Sequence, residues 1–451
     1  MTSPTPRRSR TNTSMLIGLW LGLTVTVGVC VFVALFYALG GFGHNGPAST
    51  PNPITVTAAT DTPPPMPPTL VVATQASLAE GTPPPCNYWP TPASHFAYGI
   101  QSHVFVGDNS FWLGIIHEKL GFNWVKMQVR WYDLETNQGG IYWNVLDSAM
   151  QQACVHGLRV LLSVVAAPTW TQAHPQPAAN GEAPPDDPQQ YAKFLSEIID
   201  RYPRLVGAIE VWNEENLERE WNTANGVNAA DYVALLQAAY TTIKAKDPSI
   251  IVISGGLSPT GINCNVSITN CQPTGRPIVI DDSTYLKAFI AAGGLNYVDC
   301  VGTHSNGTNL PPTADGAHPP PRDDYKFSGP WDNPHYSWAL ASQVNTYADI
   351  LNGRKQQCVT EFGYASPVDG KFPPGFEFAE DVTEQQQGQY EVAAFNWMRD
   401  SGLVKMAFLF NLDYGPKGGD PSVDDNVIFS ILTQKGAPRP AFDMLSQMPK
   451  P

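Results

Sequence analysis

From about residue 95 onward, short apolar runs alternate with segments in which apolar residues recur at helical spacing. Eight apolar runs qualify as strands: residues 96–103, 124–131, 159–168, 207–214, 250–259, 297–304, 357–364 and 404–414. Strands separated by helices pair in parallel, and near-continuous apolar strands are buried on both faces. Eight such units predict a (β/α)8 barrel, the TIM-barrel fold, over residues 95–451. The alternative is an open α/β sheet, which normally has a glycine-rich phosphate loop after its first strand, and none is present here.

The segment before the barrel begins with a long uncharged run. Residues 15–39 contain no charged side chain and match the length of a membrane-spanning helix. Three arginines between positions 7 and 10 precede this run, and the positive-inside rule keeps such a short basic segment in the cytoplasm. These features predict a basic cytoplasmic tail over residues 1–14, a transmembrane signal anchor over residues 15–41 and an extracytoplasmic barrel. The alternative is a cleaved signal peptide, but the run is long for that and no clear small-x-small cleavage site follows it.

Residues 42–94 form a further segment, rich in Pro, Thr, Ala and Ser. Such a composition cannot bury enough apolar surface to fold, so it predicts a disordered, partly extended tether between the anchor and the barrel.

Six of the seven cysteines lie beyond the apolar run. An oxidising compartment favours disulfides, and Cys264 and Cys271 bracket a polar loop suited to a local one. Cys300 and Cys358 lie inside apolar runs, which predicts buried thiols. Since no CxxC or HExxH motif occurs, a structural zinc site has little support, and no metal or cofactor is predicted.

The net charge of −14 constrains the partners of the chain. It argues against a general affinity for nucleic acid, and a strongly polyanionic ligand would need a local basic patch that the sequence does not present. A neutral oligosaccharide or polysaccharide fits this charge. The sequence carries no signal for the oligomeric state.

The working face of a TIM barrel is built from the C-terminal ends of its strands, so the residues at which the apolar runs stop are informative. The candidate site residues at these ends are Arg130, Trp131, Trp170, Asn213, Glu214, His304, Glu361 and Tyr414. Glu214 and Glu361 end the fourth and seventh strands, so their side chains are expected to reach toward each other across the mouth of the barrel. A carboxylate pair suits glycosidic bond cleavage, in which one group protonates the leaving oxygen while the other attacks or stabilises the sugar carbon.

The motifs WNE, at the end of the fourth strand, and TEFG, at the end of the seventh, resemble those of the clan A retaining glycoside hydrolases. The chain is most similar to glycoside hydrolase family 39, with family 5 next, over about residues 95–448. The resemblance implies a glycosidase with a TIM barrel that hydrolyses β-glycosidic bonds with retention of configuration and without a cofactor.

The resemblance also implies roles for individual residues. Glu214 matches the general acid/base, Glu361 the nucleophile, and Asn213 the residue that holds the 2-hydroxyl of the sugar. Arg130 matches the clan's arginine beside the nucleophile. That cation is expected to keep Glu361 ionised, whereas the less compensated Glu214 is expected to hold a proton near neutral pH.

His304 matches a histidine at the end of the sixth strand, and Trp170 resembles a substrate-side tryptophan of family 39. Two positions depart from the pattern. Asn306 stands where clan members often have an aromatic residue, and the eighth strand ends in FLFNLDY where they often have tryptophan. Phe410 or Tyr414 is the expected sugar platform instead, because sugars present apolar C–H faces to aromatic rings. These departures leave the sugar, the linkage and endo or exo action open.

Each candidate residue also has an interpretation in which it serves only the structure. A glutamate such as Glu214 is often solvated or ion-paired, and Glu210 is expected to form a salt bridge. The glutamates at positions 215, 218 and 220 are expected in a solvated loop or at the start of a helix. His304 is alternatively a satisfied barrel histidine, and the tryptophans are alternatively packing residues. The acidic stretch over residues 420–426 is expected to be a polar loop, with calcium binding as the alternative.

The sequence therefore predicts a membrane-tethered retaining β-glycoside hydrolase. The alternative from another class is a catalytically silent barrel that binds polysaccharide as a cell-surface receptor. A third interpretation, suggested by the anchor, is a partner in exopolysaccharide export.

Overall fold

The structure is a computed structural model that describes residues 96–173, 182–261, 264–265, 275–306, 309–319 and 335–451. The chain separates into two compact units, residues 1–74 and residues 75–451, and every described residue belongs to the second unit. The predicted tail, anchor and linker over residues 1–94 lie outside the described residues. Within the described ranges, no helix is both long enough and apolar enough to cross a bilayer.

Eight parallel strands form one sheet that nearly closes into a barrel, and each overlaps one of the eight predicted apolar runs. Numbered in chain order, the barrel strands are β1 (Ala97–Gln101), β2 (Trp124–Arg130), β3 (Arg159–Val165), β4 (Val206–Val211), β5 (Ile251–Ser254), β8 (Val301–Ser305), β9 (Gln357–Phe362) and β10 (Val404–Leu409). The short strands β6 (Cys264–Asn265) and β7 (Pro277–Val279) pair antiparallel between β5 and β8 in the chain.

The order of the strands confirms the predicted (β/α)8 barrel. Neighbouring strands run β5-β4-β3-β2-β1-β10-β9-β8. The two edge strands, β5 and β8, approach each other through parallel bridges between Ile253 and Cys300 and between Leu257 and Thr303. Because every strand of this ring points the same way, the C-terminal ends all meet at one rim.

Helices connect the strands, as the spacing of apolar residues predicts, and the short ones that begin at Trp131 and Tyr414 lie at the C-terminal rim. They are α1 (Asn109–Glu118), α2 (Trp131–Leu134), α3 (Asn144–Val155), α4 (Pro188–Arg201), α5 (Ala229–Lys246), α6 (Asp282–Ala291), α7 (Leu340–Leu351), α8 (Glu384–Ser401), α9 (Tyr414–Lys417), α10 (Asp425–Phe429) and α11 (Pro440–Gln447). Short 3₁₀ helices span Thr169–Thr171, Gly294–Tyr297, Tyr336–Trp338 and Glu377–Asp381. Several helices start where a side chain accepts a backbone N–H of the first turn: Asp108, Asp187, Asn228, Asp281 and Thr383.

The interior of the barrel corrects the prediction of buried thiols. Cys300, directly before β8, and Cys358, in β9, are joined by a disulfide, and their Cα atoms lie 5.7 Å apart. Both residues are completely buried among the apolar side chains that fill the barrel. An apolar run predicts burial but not pairing, because the two strands become neighbours only when the sheet forms. Cys154 is also disulfide-bonded.

The predicted disulfide between Cys264 and Cys271 stays a prediction. Cys264 begins β6, whereas Cys271 lies outside the described residues.

Candidate active site

A sharp bend after β4 positions the first carboxylate. Trp212 and Glu214 adopt left-handed backbone conformations, with φ values of 76° and 42°. Such conformations cost about 1–3 kcal/mol each in residues other than glycine and concentrate at functional sites. The Trp212 N–H donates to the Val164 carbonyl at 3.2 Å, and the Glu214 N–H donates to the Gly256 carbonyl at 3.0 Å. The bend therefore holds Glu214 at the C-terminal rim between its two neighbouring strands.

Glu361, the second carboxylate, lies near the end of β9. Lys126 in β2 donates from Nζ to Glu361 Oε1 at 2.8 Å, and Asn306 donates from Nδ2 to Oε2 at 3.3 Å. The lysine side chain is completely buried, and that of Glu361 is 10% exposed. Each carboxylate oxygen thus has a donor, and one donor is a buried cation, which is the environment that a carboxylate anion needs away from water.

His304, near the end of β8, brings the two carboxylates together. Its Nδ1 lies 3.2 Å from Glu214 Oε1 and 3.9 Å from Glu361 Oε2. Because both distances start from the same atom, the two oxygens are at most about 7.1 Å apart, the 3.2 Å and 3.9 Å taken end to end. Retaining glycosidases separate their carboxyl groups by about 5–5.5 Å and inverting ones by about 6.5–9.5 Å. The limit applies to the two oxygens that lie near His304, and it is compatible with the carboxyl separation of a retaining enzyme.

Gly256, just after β5, makes room for this histidine. A Cβ atom added to Gly256 would lie 2.1 Å from Cδ2 of His304. The imidazole therefore occupies the volume that any other residue at position 256 would fill.

Glu210 belongs to a buried charge network beneath the rim, and the predicted salt bridge is confirmed. Its Oε2 lies 2.9 Å from Lys126 Nζ, and its Oε1 lies 3.5 Å from His304 Nε2, with all three side chains fully buried. Burial alone would raise the pKa of Glu210, but Lys126 and His304 lower it to about 2. Burial alone would lower the pKa of His304, but Glu361, Glu210 and Glu214 raise it to about 10. Burial opposes the charge of Lys126 as well, and the two carboxylates beside it raise its pKa.

The negative charge of Glu214 has more positive partners than the sequence predicts. Arg219, five residues later, donates from Nη2 to Glu214 Oε2, while His304 occupies Oε1. Burial would raise the pKa of Glu214, but Arg219 and His304 lower it to about 2. The expectation that Glu214 holds a proton near neutral pH is therefore wrong for the ligand-free protein, because the sequence does not reveal that Arg219 folds back onto it.

The assignment of Arg130 as the cation beside Glu361 is also wrong. Its Nη2 lies 2.7 Å from Glu182 Oε1, its guanidinium lies over the ring of Tyr132, and its side chain is 45% exposed. Lys126, four residues earlier in the same strand, takes the place beside Glu361. Position 130 is the last residue of β2, where the strand leaves the barrel interior. A role of Arg130 in substrate binding stays a prediction.

The two predicted tryptophans belong mainly to the packing of the rim. Trp131 is buried, stacks on Phe194 of α4 with ring centroids 4.9 Å apart, and donates from Nε1 to Glu135 at 2.7 Å. This placement corrects the prediction that Trp131 contacts sugar, because its ring faces are covered by protein. Trp170 is half-buried, packs edge-on against Trp131, and donates to the Glu135 carbonyl. Its partial exposure leaves the predicted sugar contact open.

Tyr414 follows β10 at the same rim. Its ring stacks on His103 with centroids 4.7 Å apart, and its hydroxyl accepts from Gln101 Nε2 at 3.4 Å. Burial and the negative charges nearby, including Glu361, raise the pKa of Tyr414. Glu361 is thus close enough to affect the pKa of Tyr414. Contact of Tyr414 with a sugar stays a prediction.

Asn213 and Glu215 flank the catalytic candidate in the chain. Asn213 is buried and hydrogen-bonds Glu220, and its Oδ1 has no hydrogen-bond partner within the described part of the chain. Because this oxygen is buried, the contact of Asn213 with a sugar hydroxyl stays a prediction. Glu215, expected in a solvated loop, is instead buried against Gly255, and burial raises its pKa well above the usual range.

Sequence reasoning missed three members of the site. Lys126 carries a usable signal, since a lysine in the middle of an apolar strand needs a buried partner. Asn306 stands out only as a departure from the clan pattern. Arg219 has no signal, because it lies in a charged segment that reads as solvent-exposed loop.

In the acidic stretch over residues 420–426, residues 420–424 form a polar loop and residues 425–426 begin α10. Asp420 accepts the N–H of Ser422, and Asp424 accepts the N–H of Gly419. In the ranges that the structure describes, no group of three or more His, Cys, Asp or Glu residues is arranged to hold a metal ion.

Solved structures with the same architecture are glycoside hydrolases. A family 39 glycoside hydrolase from the gut symbiont Bacteroides cellulosilyticus has a TM-score of 0.54 and 17% identity, over 78% of this chain and 63% of that one. A GH5_18 structure from Bifidobacterium longum, in complex with Manb1-4GlcNAc, has a TM-score of 0.53 and 13% identity, over 78% and 77% of the two chains. A GH5_18 structure from Streptomyces cattleya, in complex with GlcNAc, has a TM-score of 0.52 and 14% identity, over 78% and 79%.

These similarities confirm the resemblance to clan A glycoside hydrolases at the level of the fold. This chain spans less than two thirds of the length of the family 39 structure. No protein-family model and no curated protein sequence matches the chain.

Proposed function

We propose that the chain is a retaining β-glycoside hydrolase that cleaves O-glycosidic bonds of an oligosaccharide or polysaccharide. The observation that supports this proposal is that Glu214 and Glu361 lie 3.2 Å and 3.9 Å from the same nitrogen of His304, at the C-terminal rim of the barrel. The similarity in fold to glycoside hydrolases agrees with it.

The proposed reaction is a double displacement. Glu361, with Lys126 on its Oε1 and Asn306 on its Oε2, attacks the anomeric carbon as the bond to the leaving oxygen breaks. Glu214 donates a proton to that oxygen. It then removes a proton from a water molecule, which attacks the same carbon and releases Glu361 from the glycosyl ester.

We further propose that the barrel works outside the cytoplasm, tethered by residues 15–41 and the linker over residues 42–94. The Cys300–Cys358 disulfide supports an oxidising compartment, because cytosolic thiols are normally kept reduced.

Turnover of a panel of aryl β-glycosides by the purified full-length chain tests the chemistry. Glu361→Gln is expected to lower kcat by about 10⁴-fold or more, because the nucleophile is lost. Glu218→Gln is the matched control, since Glu218 is a glutamate of the loop that carries Glu214 but pairs with Arg276. Unchanged turnover by Glu361→Gln would refute the assignment.

Azide separates the roles of the two carboxylates. With Glu361→Ala, azide is expected to displace the aryl group directly and give a glycosyl azide of inverted configuration. With Glu214→Ala, it is expected to attack the glycosyl-enzyme and give the retained configuration. The reverse pattern would exchange the two roles.

One observation favours the second candidate, a catalytically silent polysaccharide receptor. Arg219 covers the outer oxygen of Glu214 and holds its pKa at about 2, which is unsuitable for a general acid. Retention of polysaccharide by the wild-type chain without any released product would establish this candidate.

A further inference from the structure

Only one oxygen of Glu214 is open to a substrate. Oε1 faces His304, whose side chain is completely buried, so nothing can approach the carboxylate from that side. Oε2 faces Arg219, whose side chain is 63% exposed. The leaving oxygen of a sugar must therefore meet Glu214 at the atom that Arg219 occupies, and the guanidinium and the substrate compete for one position.

Arg219 already touches a second carboxylate to which it can turn. Its Nε lies 3.5 Å from Oε1 of Glu220, whose side chain is 17% exposed. Burial raises the pKa of Glu220 to about 8, in spite of the lowering effects of Arg219 and of its hydrogen bond from Asn213. A guanidinium placed fully on Glu220 would favour ionisation of that carboxyl.

The backbone around Arg219 is held in place, so only its side chain has to move. The Arg219 carbonyl accepts the N–H of Glu182 at 2.8 Å, and Trp221 donates its N–H to the Leu217 carbonyl at 2.9 Å. Rotation about the side-chain bonds of an exposed arginine between staggered positions carries a small cost.

Building on the proposed function, we propose that Arg219 is a positioning residue that alternates between Glu214 and Glu220. A sugar that enters the leaving-group position moves the guanidinium from Glu214 to Glu220, and Glu214 then takes up the proton that it must donate. The protons balance, because Glu220 loses one as Glu214 gains one.

Several charged groups surround Glu214 and affect its pKa. They stay in place while Arg219 moves. Glu214 faces His304 of β8, with Glu361 of β9 beyond it, and Glu215 lies next to it in the chain. Lys126 of β2 and Glu210 of β4 complete the network below.

Arg219 and Glu220 face two further carboxylates. Asp425 of α10 acts on Arg219, and Glu182 acts on Glu220. Arg219 thus has several carboxylates around it, so it does not present a free cation for an anionic ligand.

The test is the pH dependence of kcat/KM for the full-length chain with two aryl β-glycosides, one with a poor leaving group and one with a good one. Only the poor leaving group depends strongly on the acid, which contributes about 10²–10⁴-fold in such reactions. Arg219→Gln is expected to shift the basic limb to higher pH by about one unit, since an opposite charge at this distance lowers a carboxyl pKa by about 1–3 units. Glu220→Gln removes the second partner of Arg219. It is expected to shift the basic limb to lower pH and to slow turnover of the substrate with the poor leaving group.

Two controls separate this role from a structural one. Arg219→Lys keeps the charge and is expected to keep the wild-type profile. Arg276→Gln removes an arginine of the same region that pairs with Glu218 and not with Glu214, and it is expected to move neither limb.

Coincident pH profiles for the wild type, Arg219→Gln and Glu220→Gln would overturn this inference while leaving the proposed function intact. The inference would also be overturned if Arg219→Gln and Glu220→Gln shifted the basic limb in the same direction. Absence of Glu361-dependent turnover in the wild-type chain would overturn both.

Discussion

Replacing Lys126 by Met is the most informative perturbation of the fold, because this lysine joins the barrel interior to the candidate site. Its Nζ lies 2.9 Å from Glu210 and 2.8 Å from Glu361, and its side chain is completely buried. Methionine keeps the length and apolar stem of the side chain but removes the charge. The change leaves two carboxylates with His304 as their remaining buried cation.

The expected loss in the free energy of unfolding is about 3–5 kcal/mol, the usual cost of removing one partner of a buried ion pair. We expect the lower part of this range, since His304 lies 3.5 Å from Glu210 and offsets part of its charge. The loss should depend on pH. The folded-state pKa of Glu210 is lowered from 4.5 to about 2, so its contribution is present above pH 4.5 and is lost as the pH falls toward 2. The difference between wild type and variant should therefore shrink over that window.

Urea denaturation at pH 7 and at a series of lower pH values measures this difference. The double variant Lys126→Met with Glu210→Gln tests the cause, because it removes the unpaired charge and should recover part of the loss. Lys244→Met is the matched control. Lys244 pairs with Asp299 at 2.6 Å, but both side chains are more than 20% exposed, so about 1 kcal/mol or less is expected.

The reasoning would be refuted if Lys126→Met lost no more stability than Lys244→Met. It would also be refuted if the double variant were less stable than Lys126→Met alone, because relief of an unpaired charge could not then be the cause.

Three further predictions concern single features of the barrel. Replacing Cys300 and Cys358 together by Ala should lower the unfolding free energy by up to about 4 kcal/mol, since the disulfide closes a long loop with a sequence separation of 58; equal denaturation midpoints would contradict this. Gly256→Ala should displace His304 and lower the free energy of unfolding by about 1–3 kcal/mol through overpacking. Turnover should also fall, and an unchanged kcat would count against the close packing of Gly256 and His304. Trp131→Leu should lose about 2–4 kcal/mol because the ring is buried, with KM unchanged for any substrate that is turned over; a raised KM would restore the predicted sugar contact.

Hydrophobic periodicity was sufficient to predict the barrel and the side of it on which the site lies. Apolar runs of strand length alternating with helical segments have few packed solutions, so eight of them specify a ring of parallel strands. The rim positions of Glu214 and Glu361 follow from that ring, because the end of each strand can be read directly from the sequence.

The partners of these carboxylates were decided only by the tertiary structure. Lys126 and Glu361 are 235 residues apart, and although a lysine within an apolar strand signals a buried partner, the sequence does not show which carboxylate that partner is. Pairing depends on which side chains converge in space after the barrel closes. The same reason explains the disulfide between Cys300 and Cys358.

Local sequence could not predict the contact of Arg219 with Glu214 either, although only five residues separate them. That contact depends on the bend after β4, where Trp212 and Glu214 adopt left-handed conformations that the packing of neighbouring strands imposes. The sequence alone thus determined which groups stand at the rim, since strand periodicity is a local property. The tertiary structure decided their charge states, because a pKa depends on burial and on neighbours that are distant in the chain.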